Sequence, residues 1–218
     1  MGVGRIAGRR PGAARVADVN AAATVSLAAA LAAGAACAAS ILATPRRVVI
    51  LALLVQFAGT AVLLSAIPLA LAVAYAAVGL SVAAILAVTP APEASIEAAT
   101  PSGVPSGLVF RTVSVLLVSL AAGALGLQVL GGTPGITPGQ ALGAGLLFGL
   151  GLLHVGLSEE PLHVGAGLMA VLGGFEIGYA SVEPSVALHA LLIAMPVLIA
   201  VVVAYLSLLT AAAPERRP

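Results

Sequence analysis

From Arg111 to Glu159 the chain carries no Asp, Glu, Lys or Arg, and from Arg47 to Glu93 it again carries none. Windows of that kind leave few folds open. A helix crossing hydrocarbon needs roughly 20 apolar residues, so each window holds two crossings. Asp18 to Arg46, Glu160 to Glu176 and Glu183 to Glu215 bracket the remaining charge-free windows. Charged residues make up only 8% of the chain, where a soluble domain carries about 25%. A globular fold this apolar has nothing to place at a water surface, and lipid as the solvent removes the problem. The sequence predicts an all-α, polytopic transmembrane bundle of about seven helices.

Turn residues divide the apolar sequence. Residues 1–19 form an Arg-rich N-terminal tail and residues 20–88 hold spans 1–3. Span 1 runs from about 20 to 43, and Thr44-Pro45-Arg46-Arg47 is a short turn. Span 2 covers about 48–66, Pro68 marks a break, and span 3 ends near Val88. Residues 89–107 form the one sizeable loop, rich in Pro with Glu93 and Glu97, and are expected to divide the protein into halves. Residues 108–210 hold spans 4–7, and 211–218 are a C-terminal tail. Span 4 covers about 108–130. Thr137-Pro138 opens span 5, which ends near Leu157. Ser158-Glu159-Glu160-Pro161 caps span 6, which runs to about Val182, and Glu183-Pro184-Ser185 precedes span 7. Ala52 to Leu86 and Ala170 to Ala204 each read as span, Pro-containing turn, span, with Phe57 opposite Phe175; this is a candidate internal repeat.

Arg5, Arg9, Arg10 and Arg15 precede span 1, and small residues lie near Ala36 to Ser40, a pattern shared with secretory signal peptides. The apolar stretch is long enough to span, and the expectation is a retained helix. Those four arginines lie on one side of the membrane. Arg46, Arg47, Arg111, Arg216 and Arg217 lie on the other, so the positive-inside rule does not decide orientation. Net charge is +1, which gives nucleic acid no electrostatic footprint. A single cysteine, Cys37, excludes an internal disulfide.

Glu176 is the most informative residue. It sits inside span 6, in Gly173-Gly174-Phe175-Glu176-Ile177-Gly178, where an ionisable group costs a few kcal/mol unless paired, neutral or hydrated. Helical spacing puts Gly165, Met169 and Gly173 on its face, and Gly174 with Gly178 forms a small-xxx-small pair beside it. Gly145 and Gly149 form a similar pair in span 5. Glu176 therefore faces neighbouring helices, either as a proton-relay carboxyl, the preferred reading, or as a packing acid bonded to a carbonyl. His189 lies early in span 7, and Pro196, seven residues on, leaves the Leu192 carbonyl without its usual partner and predicts a kink. His189 fits either a hydrated path or a membrane boundary. His154, Glu159, Glu160 and His163 gather around the turn between spans 5 and 6, without the spacing of a metal motif such as H-E-x-x-H. They read as a polar helix end, and no metal site is assigned. Gln56 shares a face with Thr60, as for a bond between helices. The chain has no P-loop, no CxxC, no Ser-His-Asp pattern and no Lys, so no catalytic residue is assigned and it is not expected to be an enzyme alone.

The stretch from Gly145 through Leu-Leu-Phe-Gly-Leu-Gly-Leu-Leu to His154 is followed by a tight polar turn and by Gly165 to Ile177 with its buried Glu. Glu183-Pro184, Ala187-Leu188 and the run ending Val201-Val202-Val203-Ala204-Tyr205 complete a pattern. It resembles the three-helix K-type subunit of respiratory complex I and the C-type subunit of multi-subunit cation/proton antiporters. It is most similar to the longer, HyfE-like E-type membrane subunit of group-4 hydrogenases. The K-like unit corresponds to residues 141–210, and the span plan fits along nearly the whole chain. The resemblance implies a small membrane-arm subunit of a proton- or sodium-translocating redox complex in the plasma membrane, packed against other membrane subunits and binding no cofactor itself. It assigns Glu176 to the proton path, about one turn later than the family position, with His189 the nearest ionisable group in the last span. Two other functions fit the same residues: an assembly subunit with no ion path, given the abundance of Gly and Ala, and a small oligomeric transporter or channel.

Overall fold

The computed structural model describes residues 11–65, 69–90, 107–180, 182 and 185–212. The tail through Arg10, Pro68, the loop centre with Glu93 and Glu97, Glu183-Pro184 and the end of the C-terminal tail lie outside them. Seven helices follow one another: α1 (Pro11–Leu42), α2 (Arg46–Leu64), α3 (Leu69–Val88), α4 (Leu108–Leu130), α5 (Pro138–Leu157), α6 (Pro161–Tyr179) and α7 (Val186–Ala212). All seven are long and apolar enough to cross a membrane. The protein is a multi-pass membrane protein, and its described residues are all-α.

The helix starts have local causes. Pro opens α1, α5 and α6, where its missing N–H costs nothing. At α5 the cap is reciprocal. Thr137 Oγ1 accepts from the Gln140 N–H at 3.2 Å, and Gln140 Oε1 accepts from the Thr137 N–H at 2.9 Å. Gln140 Nε2 also donates to the Leu63 carbonyl at 2.9 Å, satisfying an acceptor in the last turn of α2. Two boundaries differ from expectation. α1 begins at Pro11, ahead of its apolar stretch, because helix formation needs no apolar side chains. α6 stops at Tyr179 instead of Val182, with the Ala180 N–H closing on the Glu176 carbonyl at 2.8 Å. The expected cap of α6 is also corrected: its N-cap is Glu160, which makes no side-chain capping bond. Pro196 lies inside an α7 assigned as one continuous helix.

Six of the seven helices stack as two layers in register. α1, α2 and α3 lie side by side in one layer and α5, α6 and α7 in the other, with α1 on α5, α2 on α6 and α3 on α7. α4 lies outside, along α5 and against α1. The long loop falls between the two layers, with α1–α3 before it and α4–α7 after it, and the layers pack face to face. The two candidate repeat segments fall on α2–α3 and α6–α7, which stack in the same order and direction. Phe57 and Phe175 do not share an environment: Phe57 is buried against Tyr75, and Phe175 is exposed.

Small residues set the spacing. A Cβ on Gly126 would stand 2.9 Å from the Cα of Gly145, so the α4 and α5 backbones meet at these glycines. A Cβ on Gly151 would stand 2.8 Å from the Gly167 carbonyl of α6. α6 is the most enclosed helix, with 61% of its span inside the bundle, against 17% for α4.

Candidate functional site

α6 carries buried polar groups at both ends. His163 and Glu176 are thirteen positions apart, about 20 Å along the axis at 1.5 Å per residue. Consecutive helices alternate in direction, so the two ends belong to opposite faces of the membrane. The face holding the α2 start and the α6 start is called here the Arg46 face.

At the opposite face, Glu176 lies in the last turn of α6 with 2% of its surface exposed. Because α6 is shorter than expected, Glu176 falls at the helix end. Gly173, one turn earlier, makes room for two hydroxyls from the other layer. A Cβ on Gly173 would stand 2.9 Å from Tyr75 Oη of α3 and 3.6 Å from Thr60 Oγ1 of α2. Tyr75 and Thr60 are both buried, and the Glu176 carboxyl is near enough for its charge to act on the Tyr75 hydroxyl. Among the described residues Glu176 makes no ion pair. His189 is buried near the start of α7, its ring set edge-on to Tyr179 at 6.0 Å, and Tyr179 stacks on Phe175 at 5.4 Å. The structure therefore brings Tyr75 and Thr60 to Gly173, one turn before Glu176, with the Tyr75 hydroxyl in electrostatic reach of the carboxyl, and ties His189 to α6 through Tyr179.

The packing glycines separate by neighbour. Gly165 faces Val203 and Ile199 of α7, Gly174 faces Phe148 of α5, and Gly178 lies 3.5 Å, measured from a built Cβ, from Leu130 of α4. Gly145 and Gly149 face α4, at Gly126 and Ala122. Between α4, α5 and α6 an apolar lateral groove of about 560 Å³ runs past Gly126, Gly149, Phe148 and Phe175.

On the Arg46 face a second polar set crosses three helices. His154 Nε2 lies 3.1 Å from His163 Nδ1. His154 Nδ1 lies 3.4 Å from Ser40 Oγ of α1, and Ser40 Oγ donates to the Cys37 carbonyl at 2.7 Å. His163 Nε2 lies 3.5 Å from Glu160 Oε2. Ser40 and His154 are deeply buried, while the Glu160 side chain is 58% exposed. The structure thus gathers three of the four residues around the turn and leaves Glu159 exposed. Among the described residues no group of three or more His, Cys, Asp or Glu is placed to hold a metal ion. Arg46, at the start of α2, donates to the Leu86 and Pro90 carbonyls and closes the end of α3.

Sequence reasoning missed Ser40, Tyr75 and Thr60 as members of these sets. Each is an ordinary residue of an apolar span, and only tertiary contact brings it to α6. The one signal was polarity itself, since hydroxyls buried between membrane helices need partners. Comparison with protein families, with curated proteins and with solved structures finds no match to this chain.

Proposed function

We propose that the chain is a small membrane-arm subunit of a multi-subunit ion-translocating redox complex, of the NADH dehydrogenase or hydrogenase-like kind. In this reading it packs between larger subunits in the plasma membrane and contributes a proton path through Glu176. The observation that carries the reading is the burial of Glu176, without an ion pair among the described residues, one turn beyond the Gly173 position that the Tyr75 and Thr60 hydroxyls approach. A carboxyl held in a membrane helix at that cost marks an ion or proton pathway by default. The resemblance of residues 141–210 to a K-type unit supports the same assignment, and His189 lies on the same face of the membrane. The shallow burial of α4 and the apolar groove beside it favour lateral contact with other membrane helices, which also fits an assembly subunit without an ion path.

The test is purification of the tagged protein from its native membrane in mild detergent, with mass spectrometry of what accompanies it. Large antiporter-like membrane subunits together with iron–sulfur or hydrogenase-type proteins support the reading. A protein that emerges alone, or only with itself, overturns it and favours a small transporter.

A further inference from the structure

The lateral groove between α4, α5 and α6 has a backbone floor and aromatic walls. The α4 and α5 chains meet at its floor, where a Cβ on Gly126 would stand 2.9 Å from the Gly145 Cα. A Cβ on Gly174 of α6 would stand 2.6 Å from the Phe148 nitrogen of α5. Phe148 and Phe175 form the walls and keep 43% and 46% of their surface exposed. Phe175 is held in place by Tyr179, whose ring stacks on it at an angle of 15°. The glycines that let these helices approach also leave no side chain to fill the space outside them. An unfilled hollow forfeits the dispersion contacts of every atom that lines it, so in a bilayer the groove is occupied.

Its dimensions select the occupant. The groove runs from Ala122 to Leu130 on α4 and from Ala144 to Leu152 on α5, about 12 Å along each at 1.5 Å per residue. α4 has 23 residues and is about 34 Å long, close to the roughly 30 Å of a hydrocarbon core. The groove takes the last third of α4, so it lies in the half of the bundle away from Arg46 and opens to one leaflet. A volume of about 560 Å³ over about 12 Å gives a section of about 47 Å², whereas a helix about 10 Å across needs about 80 Å². A helix laid over the groove would also gain there only on the order of 100 Å², against about 800 Å² per partner in a stable interface. Hydrocarbon tails have no fixed section and enter from one leaflet. We propose that this groove is a binding site for the tails of one lipid molecule from the leaflet opposite the Arg46 face, held more tightly than the surrounding lipid.

Retention comes from packing. Surrounding lipid touches the protein on one side, while a tail in the groove touches three helices and two aromatic rings, and each added contact counts. The turn from Gly131 to Thr137, which joins α4 to α5 above the groove, carries no charge, so a zwitterionic lipid is a sufficient probe. A tail seated there levels the face that α4, α5 and α6 offer to neighbouring helices, so the site is compatible with lateral contact. The proposal stands independently of the role given to Glu176, whose side chain is buried inside the bundle.

The chain has no tryptophan, so one introduced indole reports from a single place. Phe175→Trp puts it in the groove wall. Val73→Trp is the control: it is 62% exposed on α3, and it lies two residues from Tyr75 as Phe175 lies two from Gly173, which Tyr75 approaches. The full chain of each variant is purified in detergent and titrated with brominated phosphatidylcholine, which quenches a neighbouring indole. The expected result is saturable quenching of Phe175→Trp by one lipid per chain, half complete at a lipid fraction at least about tenfold below that for Val73→Trp. Gly178→Leu, where a Cβ would stand 3.5 Å from Leu130, fits without moving backbone and fills the groove, and should remove the saturable phase. Ala122→Leu, also in the lining, is a second filling variant with the same expected effect. Quenching that follows bulk lipid alike at both positions overturns the proposal. So does a saturable phase that survives both filling variants, or an indole at position 175 that lipid never reaches, which would mark a groove covered by a second copy or another helix.

Discussion

Gln140→Ala is the most informative test of how the two layers are joined. Gln140 is 3% exposed and does two things at once. Its Oε1 completes the reciprocal cap of α5 with Thr137, and its Nε2 satisfies the Leu63 carbonyl of α2. Loss of a cap costs about 1 kcal/mol. An interhelical hydrogen bond inside a membrane protein averages about 0.6 kcal/mol, with a maximum near 1.7. Together the substitution costs about 2 kcal/mol. Thr137→Ala removes only the cap and costs about 1 kcal/mol. Because the cap is shared, the double variant costs no more than Gln140→Ala alone, a non-additivity that a double-mutant cycle reads directly. The assay is equilibrium unfolding in mixed micelles with increasing denaturing detergent, followed by circular dichroism. If Gln140→Ala costs no more than Thr137→Ala, the bond to Leu63 contributes nothing and the reasoning fails.

Other predictions follow from the packing. Gly126→Leu forces apart backbones that now meet at Gly145 and costs about 1–3 kcal/mol; hydrogen exchange should show α4 losing protection while α5 and α6 keep theirs. Cys37 is fully buried, so a maleimide reagent should label it at least about a hundredfold more slowly than a free thiol until the bundle unfolds. Rapid labelling of the folded protein would contradict the position of α1. Gly173→Val places methyl groups against Tyr75 Oη and should destabilise by about 1–3 kcal/mol, with Gly173→Ala milder in the same unfolding assay.

Much of the fold was legible because its punctuation is local. Pro138, Pro161 and the Gly131-Gly132 pair mark helix ends through backbone chemistry that needs no tertiary context, and α4 ends, and α5 and α6 begin, where those residues put them. The start of α1 was not legible from hydropathy, since Pro11 to Val19 is helical without belonging to the apolar stretch. The layering was hidden for a different reason. In lipid an outward face is as apolar as an inward one, so no polar stripe announces which side packs. The site followed the same division. Glu176 and the two histidines of α5 and α6 stand out as polar groups in apolar helices. Tyr75, Thr60 and Ser40 reach them from helices distant in sequence, and the pairing of His154 with Ser40 spans most of the chain. The length of α6 decided another point, placing Glu176 in the last turn of the helix.

The central claim is that Glu176 serves a proton path inside a larger complex. Its most direct test is substrate-driven proton pumping by native membrane vesicles carrying Glu176→Gln, with assembly of the complex checked in the same preparation. The account predicts an assembled complex whose pumping falls at least about tenfold, as expected for loss of an essential intramembrane carboxyl. An assembled complex that pumps at the unaltered rate would contradict it.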